Sequence, residues 1–422
     1  MYLKTKTKKV TWTPKIMELV ELVFAGTFLA LLAGLLSYFL LTLAFSRKPS
    51  TIQKKPFFPT LTMIIATFNE AKVLPKKLAN TLDLDYPREK FEILIVDSGS
   101  TDSTRKIIND LIQKESQVKI RLLTQEKRLG KSAALNYALQ NCSSEIVVLS
   151  DADVVVSKDA LLQAAANFND VTVGAVSGIE VIQNPDESSA TKLEGGYRSF
   201  YNTLRLGESN LDSVMMCESE FSAYRRELLG TMPCNVMCDD MELTVQTRKK
   251  GFRAVYDPNV LFYEYSPSKF VARVKHKIRR GQANQQTLLR YVDILFKREY
   301  GKFSSVIMPF EFFMNIISPV LTAVCLATYF LMVFFYFNVF SVFLPLVMLV
   351  LTGFALFVSL RILSPAPHIT LKNSKSNSGL HMIVSIIDLI SLESILLFSL
   401  LSLLFSGPKY IWEKIEDTRR VS

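Results

Sequence analysis

The sequence predicts an α/β domain built on a doubly wound sheet and carried by membrane-spanning helices, and three observations predict it. Short β-branched apolar runs at 61–66, 92–96 and 146–149 each end in polar or Gly/Asp-rich sequence, as buried parallel strands do. Helix-like segments, 104–114 and 131–140 among them, lie between these runs. Strand, loop and helix repeated in this order give a doubly wound sheet whose ligands gather beyond the carboxyl ends of the strands. Uncharged stretches long enough to span a bilayer flank the whole.

Taken in order, residues 1–21 are a basic segment with five lysines and two glutamates. Residues 22–45 are uncharged over 24 positions, enough for one spanning helix, and lack the short apolar core and small-residue cleavage site of a secretory signal; a retained anchor is expected. Residues 46–302 have the mixed composition of one α/β domain, closed by a basic juxtamembrane segment at 273–302 with nine Lys/Arg against two acids. Residues 312–360 are uncharged over 49 positions, twice the ~20 of a single span, and predict a helical hairpin turning near Asn338. A third span is expected at 380–405, with Asp388 and Glu393 facing protein or water. In the tail, 406–422, Trp412 with its flanking charges fits interfacial anchoring and needs no further role.

Composition agrees with this mixed plan. A chain of 422 residues is too long for one ordinary core, and 49% apolar with 21% charged residues describes a soluble part joined to a membrane part. The net charge of +10 raises the question of nucleic acid, but the basic excess abuts the expected spans while the domain is nearly neutral, so no nucleic-acid partner is expected. Five scattered cysteines argue against a disulfide framework and fit a reducing compartment. Cys234 and Cys238 are the one close pair, and the other ligands of a zinc site are missing.

The three strand ends carry the chemistry. Thr67-Phe68-Asn69-Glu70 follows the first, Asp97-Ser98-Gly99-Ser100-Thr101-Asp102 the second, and Ser150-Asp151-Ala152-Asp153 the third. Acid and amide groups on one sheet edge suit a nucleotide, and two carboxylates two residues apart can point at one hard cation with positions left for phosphate oxygens. Taken alone, Asp151 and Asp153 read more readily as turn and cap residues, and only the acidic strand ends around them reverse that balance. Gly130-Lys131-Ser132 opens an apolar helix, which by itself is a turn with a solvated lysine; it is no Walker loop, because Gln125 stands where that loop needs its first glycine.

These motifs, with Phe221-Ser222-Ala223-Tyr224-Arg225-Arg226 and Cys238-Asp239-Asp240-Met241-Glu242-Leu243, resemble in content and order the family 2 glycosyltransferases, over roughly residues 61–282. The membrane layout resembles the integral-membrane polysaccharide synthases of that family, those of poly-N-acetylglucosamine, hyaluronan and cellulose. The resemblance implies a nucleotide-sugar-binding α/β domain of the glycosyltransferase A type, transfer with inversion, and a Mg²⁺ or Mn²⁺ ion. By it, Asn69, Glu70 and Asp97 face the nucleoside, Thr67 belongs to the nucleotide-sugar site, and Lys131 faces the diphosphate or the sugar's side of the pocket. Asp151 meets the ribose and the metal, and Asp153 is the direct metal ligand. Asp240 matches the catalytic base, and Asp239, with Tyr224, lies toward the acceptor. Asp239 replaces the family's usual Glu, which keeps the charge and shortens the reach. The acids of this motif also suit the first turn of a helix at 241–250 on dipole grounds alone.

Two departures bear on the acceptor. At 274–282 the Gln-x-x-Arg-Trp motif of the processive members is poorly matched and lacks its tryptophan, which weighs against processive polymerisation. Arg279 and Arg280 there are expected either to clamp phosphate or to rest on anionic headgroups. Glu218 and Glu220 replace the small residues expected before Phe221, so the acceptor pocket is expected to differ. A nucleotide sugar is cytosolic, and the basic residues of 273–302 and 361–379 agree with a cytosolic domain on a multi-pass chain in the cell membrane, although lysines on both sides of the anchor leave the N-terminus undecided. The expected function is transfer from a nucleotide-diphosphate sugar, UDP-linked by preference, to a lipid-linked or polysaccharide acceptor. The alternatives are a polyprenyl-phosphate sugar synthase, whose acceptor is already ionised, and a non-catalytic membrane scaffold.

Overall fold

The computed structural model describes residues 14–233, 235–336, 378–407 and 416–420. The domain is built on one eight-stranded sheet in the order β3-β2-β1-β4-β7-β6-β8-β5. Its strands are β1 (Leu61–Thr67), β2 (Phe91–Ser98), β3 (Lys119–Gln125), β4 (Ile146–Ser150), β5 (Val155–Val156), β6 (Val173–Ile182), β7 (Phe221–Arg225) and β8 (Arg253–Glu264). β1 lies between β2 and β4 and is parallel to both, with Thr67 beside Asp97 at the shared carboxyl edge. The three strands expected from sequence are all in this parallel half. The sheet is mixed, however: β7 runs antiparallel to β4 and to β6.

Side chains alternate across the sheet with the period of two that strands impose. Met63, Ile65, Ile93 and Val148 face one core with Leu74 and Leu78 of α2 (Leu74–Leu82) and Ile108 of α3 (Thr104–Lys114). Ile64, Leu94 and Val147 face the other with Ala134, Leu135 and Ala138 of α4 (Lys131–Gln140). The carboxyl edges of β1, β2 and β4 are thereby aligned at one end of the sheet. Further on come α5 (Ala160–Asn167), α6 (Ser189–Leu211), α7 (Asp239–Lys249) and α8 (Phe270–Arg290).

Among the described residues, two helices are long and apolar enough to cross a membrane, Lys15–Ser46 and Phe303–Phe335. The first is most of α1 (Pro14–Ser46) and contains the expected anchor. The second begins nine residues before the expected position 312 and comprises π-helical turns around α9 (Met308–Phe312), followed by α10 (Ser318–Tyr336). The sequence reading stopped short because of Glu311, whose carboxylate is buried against Arg205 Nη1 at 2.9 Å and so no longer interrupts the apolar helix. The region expected at 380–405 lies in α11 (Ser378–Ser406). Residues 1–13, the second half of the expected hairpin with Asn338, most of the loop to 379, Cys234 and Trp412 lie outside the described residues.

Two helix pairs join the domain to the apolar helices. α6 packs on α1, where Phe39 stacks on Phe200 at 5.4 Å, Tyr38 hydrogen-bonds Glu208, and Asn210 Nδ2 donates to the Phe45 carbonyl at 3.1 Å. Gly207 permits this approach, since a Cβ there would overlap the backbone of Thr42. α8 packs on α11, with Gln285 Nε2 donating to the carbonyls of Asn315 and Leu396 at 2.8 and 2.9 Å. Gly207→Ala is expected to lower unfolding stability in detergent by about 1–3 kcal/mol through overpacking. Gly196→Ala, on the same helix with open space around it, is expected to be neutral or stabilising by up to about 1 kcal/mol. Thermal unfolding of the two variants checks the pair.

Candidate active site

A cleft of about 300 Å³ opens at the carboxyl edge of β1 and β4 and is closed on the far side by α7 and α8. Its centre is Lys131. Gly130 caps α4 at φ 95°, a conformation that favours glycine, and starts the helix so that Lys131 projects into the cleft. The ammonium lies 2.7 Å from Asp151 and 3.4 Å from Asp239, joining α4, the end of β4 and α7. Burial pulls its pKa down, but the two carboxylates more than offset this, and it stays above the ordinary lysine value.

Asp240 is the acid that this ammonium does not reach. Its Oδ1 accepts from the Met241 N–H at 2.7 Å and from the Cys238 thiol at 2.7 Å. Burial first, and the charge of Asp239 second, push its carboxyl up to about 7. α7 starts at Asp239, two residues earlier than expected from sequence, so both acids sit in its first turn. The dipole and the chemistry therefore use the same residues. Asp239 is raised as well, by burial, with Lys131 holding it down and Asp151 pushing it up.

Asp153 is 4% exposed and forms an ion pair with Arg419, while Asp151 is a third exposed. Two hard oxygen donors on one strand end, one of them buried and already matched by a cation, fit a divalent metal ion. Thr67 lines the cleft with its hydroxyl donating to the Val96 carbonyl at 3.1 Å, and Glu70 lines it beside Arg419. Arg279 and Arg280 lie on α8 and line the cleft. Arg280 pairs with Glu220.

Three expected contacts lie elsewhere. Asn69 has φ 54° and accepts from the Thr101 N–H at 2.7 Å, tying the loops after β1 and β2 together. Asp97 is fully buried against Arg105. Neither lines the cleft. Tyr224, expected toward the acceptor, is in the core on β7 and fully buried, because strand alternation turns it away from the cleft among Val147, Leu243 and Ala254.

Other residues were missed in the sequence. Lys77 on α2 is buried, its ammonium donating to Ser150 Oγ at 2.6 Å and the Val154 carbonyl at 2.9 Å, so it braces the Asp151–Asp153 turn from below. Burial lowers its pKa to about 7. A lysine on an otherwise ordinary helix gives no sequence signal of this. Glu218 and Glu220, which did stand out, line the cleft close to Glu180, with Arg198 and Arg280 as their cations. The tail, read as an anchor alone, reaches the site through Arg419.

The description "Glycosyl transferase family 2" matches residues 62–232. A poly-beta-1,6-N-acetyl-D-glucosamine synthase of Staphylococcus aureus is 27% identical over 261 residues, 61% of this chain and 62% of the relative. A beta-monoglucosyldiacylglycerol synthase of Nostoc sp. is 28% identical over 250 residues, 58% of this chain and 53% of the relative. The matched region thus spans less than two thirds of the length of these curated relatives. A mannosyltransferase from Pyrobaculum calidifontis, solved in complex with GDP-Man and Mn²⁺, superposes with a TM-score of 0.72 at 26% identity, covering 92% of this chain and 100% of that one. Fold, motif order and these likenesses agree that residues 62–232 of this chain are similar to the glycosyl transferase family 2 domain.

Proposed function

We propose that the chain transfers a sugar, with inversion, from a nucleoside-diphosphate sugar to the hydroxyl of a lipid-linked or saccharide acceptor at a membrane surface. The observation that carries this is the pairing of Lys131 with Asp151 and Asp239 beside Asp240, whose pKa of about 7 suits a general base at neutral pH. The mannosyltransferase likeness, which extends over the apolar helices as well as the domain, supports a membrane enzyme with a nucleotide-sugar donor and a metal ion. The two synthases support a saccharide and a lipid acceptor respectively. UDP- and GDP-sugars are both donors to be assayed. The domain is assigned to the cytosolic side, where such donors are made, on a multi-pass chain.

In this reading Asp240 removes the proton from the acceptor hydroxyl as its oxygen attacks the anomeric carbon. The bond from that carbon to the β-phosphate oxygen breaks on the opposite face, and a nucleoside diphosphate leaves. Lys131 neutralises the neighbouring carboxylates, so that the dianionic diphosphate can enter an otherwise acidic cleft, and Arg279 faces the phosphates. Asp153 and Asp151 would hold a divalent ion, which supplies charge neutralisation on the leaving group. Glu218, Glu220 and Arg280 line the acceptor side.

Asp240→Asn is expected to lower turnover about 10²–10⁴-fold, the range for loss of a general base, in an assay across UDP- and GDP-sugars. Turnover that survives nearly intact would point instead to an acceptor phosphate, which needs no base. Chelation with EDTA is expected to abolish transfer, and Mn²⁺ or Mg²⁺ to restore it. Stability should move the other way. A carboxyl with a folded pKa of about 7, above its unfolded value, costs stability as pH rises toward and past 7. Asp240→Asn should therefore raise unfolding stability at pH 8 by about 1–4 kcal/mol and have little effect at pH 4, measured by thermal unfolding.

A further inference from the structure

The segment Glu416–Arg420 lies against the cleft beside Asp153 and Glu70. It is fixed at two points that are independent of the carboxylates after β1 and β4. The Asp417 carboxylate accepts the backbone N–H groups of Ser268 and Lys269 at 2.7 and 3.0 Å, at the N-terminus of α8, where a negative charge is favoured. Arg420 pairs with Glu187 and donates to Ser268 Oγ at 2.8 Å. Between these anchors Thr418 and Arg419 enter the cleft wall. The Arg419 guanidinium bridges Asp153 and Glu70, with Nε 3.2 Å from Glu70 Oε2. It thereby links the carboxylates that follow β4 and β1.

We propose that Arg419 is a resident counter-cation of the donor site, holding Asp153 and Glu70 until a divalent ion displaces it, so that metal binding is coupled to release of the Arg419 side chain from these two carboxylates. The inference rests on the reading of Asp153 as a metal ligand. A carboxylate as buried as Asp153 requires a positive partner. A guanidinium in hydrogen-bonding contact with its Oδ2 occupies one of the approaches a metal cation would take to that oxygen and already neutralises its charge. The two cations therefore compete for this carboxylate. Asp417 and Arg420 keep the segment docked, so Arg419 stays at high local concentration and returns when the ion leaves.

The test is Mn²⁺ binding to the full chain in detergent without donor, followed by calorimetry and by the electron paramagnetic resonance of free Mn²⁺. Arg419→Ala is expected to bind Mn²⁺ about tenfold more tightly than wild type. Asp417→Asn, which loosens the segment without touching the carboxylates, is expected to shift affinity the same way by less. Asp153→Asn should abolish binding in every background. Unchanged or weaker Mn²⁺ affinity in Arg419→Ala, with Asp153→Asn still abolishing it, overturns the coupling and leaves the metal site standing. Binding that survives Asp153→Asn, or none in wild type and Arg419→Ala alike, overturns both.

Discussion

The candidate site depends on one ammonium. Lys131 stands between Asp151 and Asp239, and through them it ties the glycine-capped start of α4 to the end of β4 and to the first turn of α7. Carboxylates brought this close in a cleft poor in water would otherwise take up protons to relieve their repulsion. With Lys131 in place Asp239 keeps a cation, and the strain falls on Asp240, whose oxygen is met only by neutral donors, the Met241 N–H and the Cys238 thiol. Two adjacent acids of one type are thus given different chemistry by their surroundings.

The rest of the architecture brings this cleft to the apolar helices. The parallel half of the sheet presents its carboxyl edges, and the antiparallel β7 turns the chain back so that Glu218 and Glu220, just before it, face the same space. α8 serves two sides. Its Arg279 and Arg280 line the cleft, and its Gly281 and Gln285 pack on α11. α6 and α1 make the second joint through Gly207 and the Tyr38–Glu208–Arg205 network. The cleft that holds Asp240 thus lies beside the apolar helices.

Much of this was legible in the sequence where local chemistry and fold agree. β1, β2 and β4 are β-branched runs buried on both faces, and the acids that follow them stand out against that apolar background, although Asp97 is held in a structural pair with Arg105. β3, a half-exposed edge strand rich in charge, has no such pattern and was not anticipated. β8 was obscured by Asp257, Pro258 and Asn259, which fall where its pairing with β6 slips register. Contacts between residues far apart in the chain were beyond reach. Glu311 looked like the end of an apolar run until Arg205 supplied its counter-charge, Lys77 was an unremarkable helix residue, and Arg419 lies 266 positions from Asp153. Tyr224 was misplaced for a simpler reason: alternation along β7 decides which face a residue takes, and its boundary was not known.

The central claim is that burial, reinforced by the charge of Asp239, sets the basicity of Asp240. The pH dependence of kcat/KM for sugar transfer, in wild type and Asp239→Asn, measures it most directly. Wild-type transfer should rise with pH through a midpoint near 7, and Asp239→Asn should move that midpoint lower by removing the like charge. A midpoint that stays where it was, or moves upward, would contradict the account.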